Sequence, residues 1–167
     1  MIKLIVAKST NNVIGKDNDL IWNLPADMKF FSTTTKGNIV VMGRKNWESI
    51  PNKYRPLPER LNLVVSRDTS FSEPGCESFT SIEEAISAYE KDPRDIFIIG
   101  GGQIYAYCLR HGLVDEMLIT EIDHSFEGDT FFPDFDQSEW NKELLLKKEK
   151  DDKNPYPFSI WKYTKKR

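Results

Sequence analysis

Apolar residues along the chain fall in short runs separated by polar stretches that proline or glycine punctuates. Residues 2–7, 39–42, 61–66, 96–99 and 117–122 are mostly Ile, Val, Leu and Met. Their length and near-continuous hydrophobicity predict strands buried on both faces. The segments between them carry helix signals. Pro25 suits a first helical position, where its missing N–H costs nothing, and predicts a helix over 25–34. Gly43 turns the second run into a helix over 44–50. Ser81 and Glu84 form a capping box in which hydroxyl and carboxylate each satisfy a free backbone N–H, and this helix runs to about residue 90, before Pro93. Gly100-Gly101-Gly102 leads into a helix over 103–110, closed by Gly112. Residues 11–23 read as a polar loop, and Pro51, Pro56 and Pro58 as a rigid one. Two longer strands, 141–150 and 158–164, are joined by a turn at 151–157.

Strands alternate with helices for the first 120 residues. That pattern predicts an α/β fold with a mainly parallel central sheet, an antiparallel C-terminal edge strand and helices on both faces. With 167 residues, the chain is expected to form a single domain, 1–167. Ligands in such sheets bind beyond the carboxyl ends of the strands, which directs attention to the loops after Ala7, Gly43, Ser66 and Ile99.

Composition narrows the function classes. The formal net charge is −3, which argues against nucleic acid as a partner. No apolar run is long enough to span a bilayer, and Lys3 and Lys8 break the first run, so neither a membrane segment nor a signal peptide is expected. Two cysteines, Cys76 and Cys108, make no disulfide framework and suggest a reduced, cytoplasmic compartment.

Four places could carry chemistry. Leu24, Asp27, Met28, Phe31 and Thr35 share one helix face. An aspartate on that face either offsets the helix dipole at the surface or sits in an apolar cleft with a raised pKa, suited to a cationic or amidine-like heterocycle. Gly100-Gly101-Gly102 is either a tight turn or an anion site at a helix start; with Tyr105 at the third glycine position, it fails the dinucleotide fingerprint. Gly43-Arg44-Lys45-Asn46 is a second strand-to-helix corner, either an anion site or a solvated helix start. Ser66-Arg67 ends a third strand at the same edge. Together these corners suit a ligand with several phosphates. His111 and His124 lack partners at ligand spacing, so no metal site is expected. Cys108 reads as packed inside its helix.

These segments stand in the order and spacing of one family. Val13-Ile14-Gly15, Trp22-Asn23-Leu24-Pro25-Ala26-Asp27, Val41-Met42-Gly43-Arg44, Trp47-Glu48-Ser49-Ile50, Pro56-Leu57-Pro58 with Arg60, Ile99-Gly100-Gly101-Gly102 with Tyr105, and Glu127-Gly128-Asp129-Thr130 before Phe132-Pro133 resemble dihydrofolate reductases of the bacterial type over nearly the whole chain. The resemblance implies that fold and an NADPH-dependent reduction of 7,8-dihydrofolate to tetrahydrofolate. It also implies an oxidoreductase role in one-carbon metabolism and a target for antifolates.

By that resemblance Asp27 pairs with the pterin, Trp22 backs the pocket, and Leu20 and Tyr105 complete the catalytic group. Ile5, Met28, Phe31, Ile50 and Leu57 line the substrate, Arg60 clamps its α-carboxylate, and Thr120 supports Asp27. Ala7, Ile14 and Tyr105 flank the nicotinamide. Gly43, Arg44, Lys45, Asn46, Gly100, Gly101, Gly102, Gln103 and Ile104 surround the cofactor's phosphates, and Ser66 and Arg67 its adenine ribose. The loop over 9–24 is implied to close over the nicotinamide, with Asp129 bonding it. Leu20 and Ile21 replace the methionine and proline of many bacterial members, Asn46 replaces a threonine, and Gln103 replaces an arginine. Asn52-Lys53-Tyr54 resembles an insertion. A monomer is the expected state. Two alternatives stand beside this reading: a riboflavin-pathway pyrimidine reductase on the same fold, and a non-catalytic dinucleotide- or folate-binding protein.

Overall fold

The computed structural model describes residues 1–17 and 19–167; position 18, inside the loop expected over 11–23, lies outside the described residues. The elements in chain order are β1 (Ile2–Ser9), β2 (Val13–Gly15), α1 (Pro25–Thr35), β3 (Ile39–Gly43), α2 (Arg44–Ser49), β4 (Leu61–Val65), β5 (Glu77–Phe79), α3 (Ile82–Ala88), β6 (Ile96–Ile98), α4 (Gly102–Arg110), β7 (Glu116–Ile122), β8 (Thr130–Phe131), β9 (Trp140–Lys148) and β10 (Phe158–Lys165). Eight strands form one sheet in the order β5-β4-β3-β6-β1-β7-β10-β9. From β5 to β7 every pairing is parallel. β10 runs antiparallel to both β7 and β9, so the antiparallel edge is a C-terminal hairpin with β9 outermost.

The alternation of side chains along each strand sorts the core into two faces. Leu4, Val6, Ile39, Val41 and Ile98 pack with Ala85 of α3 and with Tyr105 and Cys108 of α4. Ile5, Val40, Met42 and Phe97 point the other way and pack with Phe31 of α1 and Trp47 of α2. Both faces are therefore covered, which is why these runs lack a polar side.

Three short strands escape the apolar pattern. β2 pairs antiparallel with β8 in a small separate sheet, and β5 extends the main sheet beyond β4. Each has two or three residues, too few to show a period, and each exists through a partner distant in sequence. The helix after Ser81 also differs. The Ser81 hydroxyl accepts the Glu84 N–H at 3.1 Å as predicted. The Glu84 carboxylate, however, takes the Thr80 hydroxyl at 2.8 Å and does not complete the capping box. The helix ends at Ala88, short of residue 90, where Tyr89 turns its hydroxyl to the Glu77 carboxylate of the edge strand.

Candidate active site

α1 lies over the sheet with its first turn above β1 and β7. Ala7 and Thr120 are register partners on those strands, and the Thr120 hydroxyl donates to Asp27 Oδ1 at 2.6 Å. Burial pushes the Asp27 carboxyl above its ordinary pKa, with the Thr120 bond opposing part of the shift. Asp27 is thus the desolvated carboxylate of the two sequence readings, not a surface charge offsetting a dipole. Trp22 is buried beside Leu24 and Ala7, and its ring stands 5.2 Å from that of Phe126. Ile5, Phe31, Ile50 and Leu57 join one apolar cluster, so the fold brings together four of the residues expected along the substrate. Leu20 and Met28 differ: their side chains are 51% and 50% exposed and belong to no core cluster.

At the other end of α1, Thr35 is fully buried. Its hydroxyl donates to the Phe31 carbonyl at 2.8 Å and accepts from the Arg60 guanidinium at 3.0 Å. Arg60 Nε donates to the Pro58 carbonyl at 2.9 Å, and the guanidinium lies 5.9 Å from the Phe31 ring centre. Partial burial lowers the Arg60 pKa, yet arginine remains a cation. Asn62, buried in β4, fixes the approach to Arg60. Its side chain accepts the Leu57 N–H and donates to the Leu57 and Arg60 carbonyls, each at 3.0 Å. Asp27 and Thr35 are eight residues apart, about 12 Å of helix axis. A carboxylate and a guanidinium thus mark the two ends of one apolar wall.

The third part of the site lies at the strand ends. The Gly43 N–H donates to the Gly100 carbonyl at 2.8 Å, and the Asn46 amide to the Ile99 carbonyl at 3.2 Å, so two of the predicted corners are joined. Gly100 has φ +115°, and a Cβ there would press within 3.2 Å of the Tyr105 ring; glycine alone fits. Tyr105 is buried and donates its hydroxyl to the Ile5 carbonyl at 2.8 Å, which ties α4 to the strand that carries Ile5 and Ala7. Burial raises its pKa, so it stays a neutral donor. α4 starts after Gly101 with no side-chain cap, leaving first-turn N–H groups for an outside acceptor. Above Gly101 the space is open, and Ile14 approaches the neighbouring Gly102.

Arg44 departs from the picture of an open cation. It pairs with Asp68 at 3.2 Å and with Glu48 at 3.5 Å and stacks 4.7 Å over the Phe71 ring. Arg67 is exposed. Ser66 is buried, and its hydroxyl accepts the Asp68 N–H at 3.1 Å. Lys45 and Gln103 are exposed, and Ile104 half-buried. On the loop side, the Asp129 carboxylate accepts the Asp17 N–H at 2.9 Å, and its own N–H donates to the Gly15 carbonyl at 3.1 Å.

The residues that sequence reasoning missed are those that hold others. Thr35 was visible on the Asp27 helix face, but nothing in the sequence says that its hydroxyl meets Arg60. Asn62 interrupts an apolar strand, a polar signal that could have marked it. Phe126 carries no signal at all. Among the described residues, no group of three or more His, Cys, Asp or Glu is placed to hold a metal ion, and no helix is long and apolar enough to cross a membrane.

The family model for dihydrofolate reductase matches residues 1–165. A dihydrofolate reductase of Staphylococcus haemolyticus is 43% identical over 157 residues, 94% of this chain and 91% of that one. A dihydrofolate reductase of Bacillus subtilis is 40% identical over 166 residues, 99% and 95% of the two chains. Among solved structures, a dihydrofolate reductase from Enterococcus faecalis complexed with NADP(H) and RAB-propyl superposes with a TM-score of 0.92 at 33% identity, covering 100% of this chain and 97% of the other.

Proposed function

Because the chain belongs to the dihydrofolate reductase family, we infer that it reduces 7,8-dihydrofolate to 5,6,7,8-tetrahydrofolate with NADPH as the hydride donor. The observation that carries the substrate assignment is the wall between α1 and the sheet, closed at one end by Asp27 and at the other by Arg60. It suits a flat, amidine-bearing ring joined through an apolar spacer to a carboxylate. A pyrimidine reductase would need neither end.

The residues fit NADPH as well. The open space over Gly101, the uncapped first turn of α4, and Arg44, Lys45 and Arg67 at the same edge supply N–H groups and cations for phosphates. NADPH supplies the hydride when bound. The chain's own work is to hold the pterin ring against the sheet, exclude water from the cleft and tune one protonation. Asp27, partly buried and braced by Thr120, pairs with the pterin's N3 and 2-amino group. It cannot reach across the ring to N5, so water delivers that proton while Asp27 adjusts the ring's basicity. Trp22 backs this pocket, and Leu20 and Tyr105 adjoin the reacting rings. Ile5, Met28, Phe31, Ile50 and Leu57 line the substrate, and Arg60 binds its α-carboxylate bidentately. Ala7 and Ile14 flank the nicotinamide. Gly43, Asn46, Gly100, Gly102, Gln103 and Ile104 adjoin the phosphates, with Ser66 beside the adenine ribose. Asp129, through Asp17, biases closure of the loop over 9–24.

We read residues 1–167 as one domain, which one sheet running from Ile2 to Lys165 supports. We read the protein as a monomer with no nucleic-acid partner. Outermost β9 carries Lys142, Lys147 and Lys148, and its register shifts opposite Ile160/Trp161; lysines and bulges guard edges against pairing. Two free cysteines favour a cytoplasmic setting. The test of function is loss of NADPH absorbance with dihydrofolate. Folded protein that binds NADPH without turnover would replace the enzyme by a binding protein.

A further inference from the structure

The first turn of α1, which carries Asp27, has no cap of its own. Leu24 stands at the N-cap and offers no side-chain acceptor. Pro25 has no N–H. The N–H groups of Asp27 and Met28 both reach the Leu24 carbonyl at 3.0 Å. That leaves the Ala26 N–H, one residue before Asp27, as the donor that a capping side chain ordinarily takes. It is taken by Asn154 Oδ1 at 3.0 Å, from 128 residues away.

Asn154 is built for that position. It is 5% exposed, and the Asp151 carboxylate braces it from behind. Asp151 Oδ1 accepts the Asn154 N–H at 2.8 Å and its amide at 3.1 Å, and the Asp151 N–H returns a bond to the Asn154 carbonyl at 2.9 Å. Lys148 Nζ holds the other carboxylate oxygen at 2.6 Å. The same turn reaches Trp22. Tyr156 packs edge-on to Phe126 at 5.0 Å, and Phe126 packs on Trp22 at 5.2 Å. The Phe158–Ile122 pairing of β10 with β7 sets the turn at this end of the sheet.

We propose that Asn154 is a positioning residue for the reduction: capping α1 from the β9–β10 turn, it sets the first turn of the helix so that the Asp27 carboxylate meets Thr120 and the pterin together. This rests on the assignment of Asp27 made above. Removing the acceptor leaves the half-buried Ala26 N–H without its partner, and the first turn shifts to find water.

The groups facing Asp27 bear on the pH readout. Thr120 meets it from β7, and no ion pair reaches it among the described residues. Behind Asn154 stand Asp151 and Lys148, already paired with each other, and the His124 ring lies tilted against Tyr156 at 4.5 Å. The test compares wild type, Asn154→Ala, and Asn154→Ser, whose hydroxyl can both accept from Ala26 and donate to Asp151. Asn154→Ala should lower kcat/KM for dihydrofolate about three- to tenfold, the size of a lost cap. It should also displace the pH profile of kcat/KM and leave the NADPH dissociation constant unchanged. Asn154→Ser should recover part of the loss. If Asn154→Ala lowers only the melting temperature, with rate and pH profile as in wild type, or if Asn154→Ser recovers stability without activity, Asn154 is a helix cap and nothing more. Asp27→Asn, measured alongside, separates the two levels: if it too keeps full activity, the assignment of Asp27 fails; if it alone loses activity, the inference about Asn154 fails.

Discussion

Asp27 and Arg60 make different demands on the folded chain. The Asp27 carboxyl is desolvated, so its pKa stands above the ordinary 3.8, and a folded-state pKa above the unfolded one means the native state binds the proton more tightly. The stability this group contributes is complete below the unfolded pKa and is lost as pH rises through the folded one. Asp27→Asn should therefore raise the stability of the ligand-free protein at neutral pH, with the gain vanishing below about pH 3.8, as urea denaturation at several pH values would record. The same change should lower turnover by about 10²–10⁴-fold near neutral pH. That loss should shrink in acid, where solvent protonates the pterin; a loss constant with pH removes Asp27 from proton transfer. Under the proposed function Arg60 binds the α-carboxylate, remote from the reacting carbons, so Arg60→Ala should raise KM and spare kcat at saturation. The lost charged contact corresponds to about 1.5–3 kcal/mol, or roughly 10- to 100-fold in affinity. A pterin without the glutamate tail should be indifferent to the change, and equal damage with both substrates makes Arg60 structural.

At the scale of elements, the segment over 57–60 is held by one buried side chain. It contains no helix or strand, and the three bonds of Asn62 stand in for backbone pairing. Asn62→Ala leaves the Leu57 N–H and two carbonyls without those partners. Stability should fall by about 1–3 kcal/mol for each group that stays buried and unpaired, and KM for dihydrofolate should rise with it, because Leu57 and Arg60 move together. Denaturation and steady-state kinetics on one preparation decide this. A stability loss with unchanged KM would mean that Thr35 and Pro58 suffice to hold Arg60.

The charges at the cofactor edge act at the scale of the whole molecule. NADPH differs from NADH by the 2′-phosphate, which calls for charge-assisted donors. Arg44 is already shared between Asp68 and Glu48, whereas Arg67 has no ion pair among the described residues. Arg67→Ala should accordingly erode the preference for NADPH more than Arg44→Ala. A single good charged contact at about 1.5–3 kcal/mol gives roughly 10- to 100-fold preference, falling with added salt because these groups lie near solvent. Affinities for both cofactors at two ionic strengths test this, and an undiminished preference in both variants places the recognition elsewhere.

Much of this molecule was legible in its residues. Five of the six parallel strands could be read because strands covered on both faces must be apolar almost throughout, and α1 and α4 because Pro25 and Gly112 mark their ends. The pairing of Trp22-to-Asp27 with Met42-to-Ser49 was specific enough to name the family, since chance matches to both segments would have to coincide. What the residues left open was every choice settled by a partner distant in the chain. Whether Asp27 sits in water or in a cleft depends on where α1 lies over Thr120. Whether Arg44 is an open cation depends on Asp68, 24 positions on. β2 and β8 are too short to stand without each other, and the cap of α1 comes from Asn154. Local propensity acts within a few residues, whereas burial and long-range hydrogen bonds exist only once the sheet order is set, and that order is a property of the tertiary fold.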